Sequence, residues 1–299
     1  MSTSARYLIV GASGGVGRSL HAALGADSIA THWRTPVAES MRFDAGTMRL
    51  SDVLTGDSRV THAFLLHAQT SMDACARDPA ARVLNVDATC RLIDELLERG
   101  ITPVFASSDA VFDGVTGLRT EEDPASPVLE YGRQKLEVEQ YLQRNAERWL
   151  IVRLAKVVGT RMSGDLLEGW MNELEAGTLI KCARDQILSP VHVDDVVGAL
   201  VLLVRGNHTG IFHMAGPDVI SRWDLLQLLI DELSKRRKLD PNVAACLLAD
   251  LPFVEPRPKD SSLSAAKLRA TLGIDMLDMR SACSRAADAH VALSNRPRA

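Results

Sequence analysis

The sequence predicts an α/β fold in which a doubly wound parallel sheet is followed by a smaller C-terminal region. Short apolar runs alternate with helical patterns through the first half, and a glycine-rich turn separates the first strand from the first helix. This alternation loosens beyond residue 156. Strands that alternate with helices form parallel sheets, because each helix returns the chain to the starting edge of the sheet.

The individual elements follow from the apolar runs and from the turn-forming residues between them. Gly100 is expected to end one long helix and Ser221 to cap another. Strands are predicted at 7–10, 28–33, 41–44, 60–67, 101–107, 149–154, 191–193 and 210–215. Helices are predicted at 14–24, 78–99, 129–148, 164–177, 194–205 and 221–238, with a short one from 264.

Composition narrows the class of protein. The 299 residues are 46% hydrophobic and 24% charged, which is typical of globular domains with a sizeable core. A net charge of -4 gives no basic face for nucleic acid, and no apolar run suits a membrane span. The N-terminus lacks a secretory pattern, so a cytoplasmic location is expected. Five scattered cysteines predict neither disulfides nor a metal site.

The glycine-rich turn predicts a dinucleotide site. Its glycines recur every third residue between the first strand and the following helix. The turn must be tight, and the cofactor pyrophosphate must approach the backbone and the free N–H groups of the helix. This pattern is typical of a Rossmann domain. The cofactor-binding residues predicted in the turn are Gly11, Ser13, Gly14, Gly15, Val16 and Gly17.

The end of the second strand indicates which dinucleotide binds. Thr31-His-Trp-Arg34 carries no carboxylate for a ribose 2′-hydroxyl, whereas Arg34 can accommodate a 2′-phosphate. We therefore expect NADP(H) rather than NAD(H), with an ordinary surface arginine as the alternative. Asp44 is a further predicted cofactor-binding residue, as an acceptor for the adenine amino group. A loop-capping role for Asp44 is the alternative.

Tyr131 and Lys135 form the predicted catalytic pair. Their spacing of four places both side chains on one helical face, where the ammonium is expected to lower the phenol pKa. A phenol tuned in this way exchanges protons near neutral pH. Ser107 and Ser108 come at the carboxyl end of the fifth strand, the ligand-binding edge of a parallel sheet. These residues predict hydride transfer to a carbonyl.

Three motifs resemble the extended short-chain dehydrogenase/reductases, and within them the dTDP-4-dehydrorhamnose reductase branch. The resemblance runs from Leu8 to about Leu272. The motifs are Ser107-Ser-Asp-Ala-Val-Phe-Asp-Gly114, Tyr131-Gly-Arg-Gln-Lys-Leu-Glu-Val-Glu139 and Arg257-Pro-Lys-Asp-Ser-Ser-Leu263.

The resemblance implies residue roles. Ser108, Tyr131 and Lys135 match the catalytic positions, and the last two also contact the cofactor, which Ala68 lines. Asn85 matches a structural asparagine. The substrate-binding residues that it implies are Ser107, Asp109, Ala110, Lys156 and Arg257.

Two positions depart from the family pattern. Ala110 replaces a tyrosine and Lys156 replaces a tryptophan, which removes aromatic surface for a sugar nucleotide. The catalytic trio is intact, so these departures affect the expected substrate and not the expected chemistry.

The expected function is that of an NADPH-dependent reductase of a nucleotide-linked 4-keto-6-deoxy sugar, with Tyr131 as proton donor. Residues 1–156 and 191–216 are expected to form the dinucleotide-binding domain, and 157–190 with 217–299 the substrate-binding region. Two alternatives stay open. One is another extended-branch enzyme, an NAD-dependent sugar-nucleotide epimerase or dehydratase. The other is a non-catalytic NADP-binding regulatory subunit. A homodimer would suit the superfamily.

Overall fold

The computed structural model describes residues 6–54, 58–159 and 164–294. Its main feature is a seven-stranded sheet in the order β7-β6-β5-β4-β1-β2-β3, parallel at every pairing from β6 to β3. The strands are β1 Arg6–Val10, β2 Ser28–His32, β3 Ser40–Arg42, β4 Val60–Leu65, β5 Thr102–Ser108, β6 Leu150–Leu154 and β7 Gly210–Met214. The strand order reverses between β1 and β4, so the predicted doubly wound fold is confirmed.

The helices agree with the predictions in position, with two additions and one interruption. They are α1 Gly15–Leu24, α2 Met72–Arg77, α3 Pro79–Arg82, α4 Thr89–Leu97, α5 Glu130–Asn145, α6 Leu166–Glu175, α7 Val193–Arg205, α8 Arg222–Ser234, α9 Ala266–Leu272 and α10 Met279–Ser294. The sequence missed α2 and α10. The helix predicted at 78–99 is divided by a π-helical turn at Val83–Ala88. None of the described helices has the length and apolar character needed to cross a membrane.

The chain packs as two compact units. The first comprises 1–112, 124–154 and 197–212, and its core lies between the sheet and the helices. Leu8, Leu92 and Phe105 are almost fully buried there. Strands covered on both faces read as continuous apolar runs, which explains why the sequence marks β1 and β4 clearly.

The second unit comprises 113–123, 155–196 and 213–299. Its core is formed by α6, α8 and α10 around Trp170 and Leu229. A two-stranded parallel pair, Ile180–Ala183 with Val243–Cys246, packs beside these helices.

The segment 113–123 lies with the second unit, although the sequence division places it with the dinucleotide-binding domain. Its backbone pairs with the late part of the chain. The Asp260 amide donates to the Gly114 carbonyl at 3.0 Å, and the Arg119 amide donates to the Ser262 carbonyl at 3.1 Å.

Candidate active site

The glycine-rich turn forms a cradle at the carboxyl edge of the sheet. Gly11 has a φ of +96°, and a Cβ on it would stand 2.8 Å from the backbone nitrogen of His67. A Cβ on Gly17 would stand 2.4 Å from the Gly11 carbonyl oxygen. Helix α1 follows Gly14 with no side chain capping its N-terminus. The turn therefore offers open space and backbone N–H groups, which suit the pyrophosphate of a dinucleotide.

Two alanine substitutions should separate the structural role of this turn from its role in binding the dinucleotide. Gly17→Ala is expected to cost about 1–3 kcal/mol of unfolding free energy, because its Cβ meets backbone that cannot yield. At Gly14 the nearest atom to an added Cβ is 3.6 Å away, so Gly14→Ala should fold normally and lose dinucleotide affinity. Urea denaturation and fluorescence titration with NADPH measure the two effects. Equal stability of both variants would contradict this assignment.

Arg34 lies just beyond β2, stacked on the neighbouring indole. Its guanidinium carbon is 3.7 Å from the centroid of the Trp33 ring, and Trp33 is 43% exposed. This cation–π contact holds the cation at the surface, beyond the carboxyl end of β2.

Asp44 has the contact expected of a loop cap. One of its carboxylate oxygens accepts a hydrogen bond from the Gly46 amide at 2.9 Å. The loop-capping alternative therefore accounts for this side chain, and an adenine contact stays a prediction.

Ser108 stands at the end of β5, where its hydroxyl is held in place. It donates to the Asp109 carboxylate at 2.7 Å and accepts from the Ala110 amide at 3.2 Å. A side-chain hydrogen bond also joins it to Tyr131. Ser108 and Tyr131 are thus in direct contact, as the predicted catalytic set requires.

Tyr131 and Lys135 are both buried on one face of α5, as their spacing predicts. The Lys135 ammonium donates to the Ala106 carbonyl at 2.7 Å and lies 5.7 Å from the centroid of the Tyr131 ring. Close packing of α5 on the turn that follows β5 depends on Gly132, where a Cβ would stand 2.0 Å from the Ala110 carbonyl oxygen.

The predicted lowering of the phenol pKa by Lys135 is wrong for this arrangement. Burial, followed by the nearby Asp109 carboxylate, raises the pKa of Tyr131, and the hydrogen bond with Ser108 only partly opposes the rise. Burial also lowers the pKa of Lys135 to about 8. The phenol is therefore fully protonated at neutral pH, which is the form a proton donor needs.

Ser107 has a structural contact within the fold, and its predicted role in substrate binding stays a prediction. Its side chain is directed inward, where its hydroxyl donates to the Glu139 carboxylate. Arg153 completes this buried group, with its Nη2 atom 2.7 Å from Glu139. Sequence reasoning missed the Glu139–Arg153 pair. The available signals were a glutamate four residues after Lys135 and an arginine within an apolar strand.

Ala110 is buried, with 2% of its surface exposed. It packs in a small cluster with Cys75, Ala81, Leu129 and Tyr131. In this structure its side chain therefore belongs to the packing around Tyr131, and a role in contacting substrate stays a prediction.

Asn85 holds the loop that contains Ala68. Its amide group exchanges hydrogen bonds with the Gln69 backbone, accepting at 2.8 Å and donating at 3.0 Å. It also donates to Gln134 of α5 at 2.8 Å. The structural role expected of Asn85 agrees with these contacts, since it joins the loop to the helix that carries Tyr131.

Lys156 and Arg257 belong to the second unit, where both are half-buried. The Lys156 charge acts on Asp165, a carboxylate whose pKa is raised by burial. The Arg257 guanidinium lies 4.6 Å from the centroid of the Phe253 ring. Substrate contacts of both residues stay predictions. Within residues 6–54, 58–159 and 164–294, no cluster of His, Cys, Asp or Glu could hold a metal ion.

A doubly wound sheet, a glycine cradle and a serine–tyrosine–lysine set define an extended short-chain dehydrogenase/reductase, an NAD(P)-dependent oxidoreductase. The comparisons with known proteins agree. The chain belongs to the family described as the RmlD substrate binding domain, whose model matches residues 5–291. The predicted family is thereby confirmed.

Three similar proteins illustrate the range of this family. A dTDP-4-dehydrorhamnose reductase of Mycolicibacterium smegmatis is 30% identical over 274 residues, which cover 88% of this chain and 79% of that protein. Methionine adenosyltransferase 2 subunit beta of Mus musculus is 26% identical, covering 91% and 83%. The crystal structure of a hypothetical dTDP-4-dehydrorhamnose reductase from Sulfolobus tokodaii has a TM-score of 0.80 and 26% identity, covering 92% and 98%.

Proposed function

We propose that this protein is an NADPH-dependent reductase of a nucleotide-linked 4-keto-6-deoxy sugar. The observation that carries the proposal is the protonated Tyr131 phenol hydrogen-bonded to Ser108 at the carboxyl edge of the sheet. The similar dTDP-4-dehydrorhamnose reductases support the substrate class. A cytoplasmic homodimer is part of the same proposal.

The reaction is a carbonyl reduction in which NADPH, when bound, supplies the hydride to the keto carbon. Ser108 orients the carbonyl oxygen by hydrogen bonding, and Tyr131 gives that oxygen a proton as negative charge develops on it. Lys135, on the same helical face, would hold the nicotinamide-side ribose of the bound cofactor beside Tyr131. Asp109 fixes the Ser108 hydroxyl before substrate arrives.

The test is NADPH oxidation, followed by absorbance, with a panel of nucleotide-linked 4-keto and 4-hydroxy sugars. We expect turnover with a 4-keto-6-deoxy sugar nucleotide and release of the 4-hydroxy product. Interconversion of 4-hydroxy sugars without net NADPH consumption would instead identify an epimerase. Loss of water from a substrate would identify a dehydratase.

Arg34 is the residue on which the cofactor preference depends. The stacked guanidinium suits the 2′-phosphate that distinguishes NADPH from NADH. Arg34→Ala is expected to weaken NADPH binding by about 10-fold or more while NADH binding changes little, since a charge-assisted hydrogen bond is worth ~1.5–3 kcal/mol. Isothermal titration with both cofactors measures the ratio. An exposed arginine on another part of the surface, Arg269, provides the matched control.

A regulatory subunit is the second candidate, and the similarity to methionine adenosyltransferase 2 subunit beta supports it. Tight NADPH binding without turnover on any sugar nucleotide, together with co-purification of a partner enzyme, would favour this candidate. Turnover that depends on Tyr131 would exclude a purely non-catalytic role.

A further inference from the structure

His67 has one ring nitrogen in use and one without a partner. It follows β4 by two residues, and its backbone supports Gly11 in the glycine cradle. Its Nε2 atom is 3.1 Å from the Thr89 hydroxyl. Its Nδ1 atom is buried and has no hydrogen-bond partner among the described residues. A buried polar atom without a partner is costly, so Nδ1 requires a group that the described residues do not supply.

The missing partner must be a hydrogen-bond donor. The Thr89 hydroxyl donates to the Leu84 carbonyl at 3.2 Å, so it accepts from His67 and leaves the Nε2 atom protonated. Burial, followed by the charge of Lys135, lowers the pKa of His67 to about 3. The ring is therefore neutral at physiological pH, and Nδ1 presents a lone pair. An ionised phosphate, which only accepts, cannot satisfy it.

The position of His67 indicates which hydrogen-bond donor can reach its Nδ1 atom. The backbone of His67 lies against Gly11 of the cradle. The strand β5, which pairs with β4, contains Ala106, and the carbonyl of Ala106 accepts the hydrogen bond of the Lys135 ammonium. A dinucleotide that places its pyrophosphate on the cradle and its reactive end beside Lys135 brings ribose hydroxyls between the two. We propose that His67 is a cofactor-binding residue whose Nδ1 atom accepts a hydrogen bond from a hydroxyl of the nicotinamide-side ribose. This inference rests on the proposed NADPH binding.

Binding of cofactor fragments to two side-chain variants tests the proposal. The ligands are NADPH, reduced nicotinamide mononucleotide and 2′,5′-ADP, each titrated at equilibrium. His67→Gln keeps a polar group near Nε2 and removes the acceptor at Nδ1. It should weaken NADPH and the mononucleotide by about 3- to 10-fold, the value of one hydrogen bond, and leave 2′,5′-ADP unchanged. His67→Asn places an amide oxygen near the Nδ1 position and should retain most of the affinity.

A matched control separates binding from folding. His62 is a buried histidine within β4, the strand that precedes His67, and His62→Gln should perturb stability without changing any of the three affinities. Thermal unfolding confirms that each variant is folded at the titration temperature.

Two results would overturn the inference. Wild-type affinity of His67→Gln for all three ligands would assign Nδ1 to a buried water. An equal loss for 2′,5′-ADP and the mononucleotide would assign His67 a purely structural role. Failure of the wild-type protein to bind NADPH would instead overturn the proposed function, and this inference with it. Failure of the inference alone is recognised because the wild-type protein still binds NADPH.

Discussion

Replacing Tyr131 with phenylalanine is expected to lower kcat by about 10²- to 10⁴-fold, the usual contribution of a positioned proton donor. The ring fills the same buried space, so only the hydroxyl bonded to Ser108 is lost. The dissociation constant for NADPH should stay within about twofold, because binding of the cofactor precedes the proton transfer and does not depend on it. Steady-state NADPH oxidation and fluorescence titration measure the two quantities.

Tyr141 supplies the control on the same helix. Its hydroxyl donates to Asp94 at 2.6 Å, in an exposed position. Tyr141→Phe therefore removes a hydrogen-bonded hydroxyl group that is bonded to neither Ser108 nor Lys135, and turnover should be unchanged. Retained turnover in Tyr131→Phe would exclude the proposed proton path, whereas loss of NADPH affinity in that variant would point to a structural effect.

Replacing Glu139 with alanine is expected to lower the unfolding free energy by about 3–5 kcal/mol, because it leaves the buried Arg153 without its counter-charge. The side chains of Glu139 and Arg153 are only 1% and 4% exposed. The substitution also removes the acceptor of the Ser107 hydroxyl, next to Ser108. Urea denaturation measures the loss of stability.

The same helix carries a surface pair for comparison. Glu137 bonds to Arg82 at 2.6 Å, with both side chains nearly half exposed, and Glu137→Ala should cost less than about 1 kcal/mol. The double variant Glu139→Leu with Arg153→Met should recover much of the stability, since well-packed apolar groups can replace a buried ion pair. An equal loss of unfolding free energy in Glu137→Ala and Glu139→Ala would show that burial of the ion pair does not determine the cost of breaking it.

The parts of the site that sequence reasoning found depend on local spacing. The glycine turn and the Tyr131–Lys135 pair are defined within a few residues by chain geometry, and Ser108 follows from the end of a clear apolar strand. The family resemblance added the same three catalytic positions.

The parts that it missed depend on the tertiary environment. The pKa of Tyr131 is set by burial and by Asp109, neither of which the i,i+4 spacing of Lys135 describes. Glu139 and Arg153 meet only after α5 packs on β6, so their pairing is a property of the folded chain. The π-helical turn likewise divides one predicted helix, and the periodicity of the apolar residues does not indicate the division.

That turn determines which changes in chain length the segment between α3 and α4 can accept. A π-helical turn holds one residue more than regular α-helix can accommodate at the same place. Ala81 before it packs with Tyr131, and Leu92 after it packs in the main core. Deletion of the one extra residue between them would restore regular α-helix and keep both contacts, whereas insertion of a further residue would rotate α3 against α4 by about 100°. A shorter chain at 83–88 is therefore expected to be accommodated more easily than a longer one.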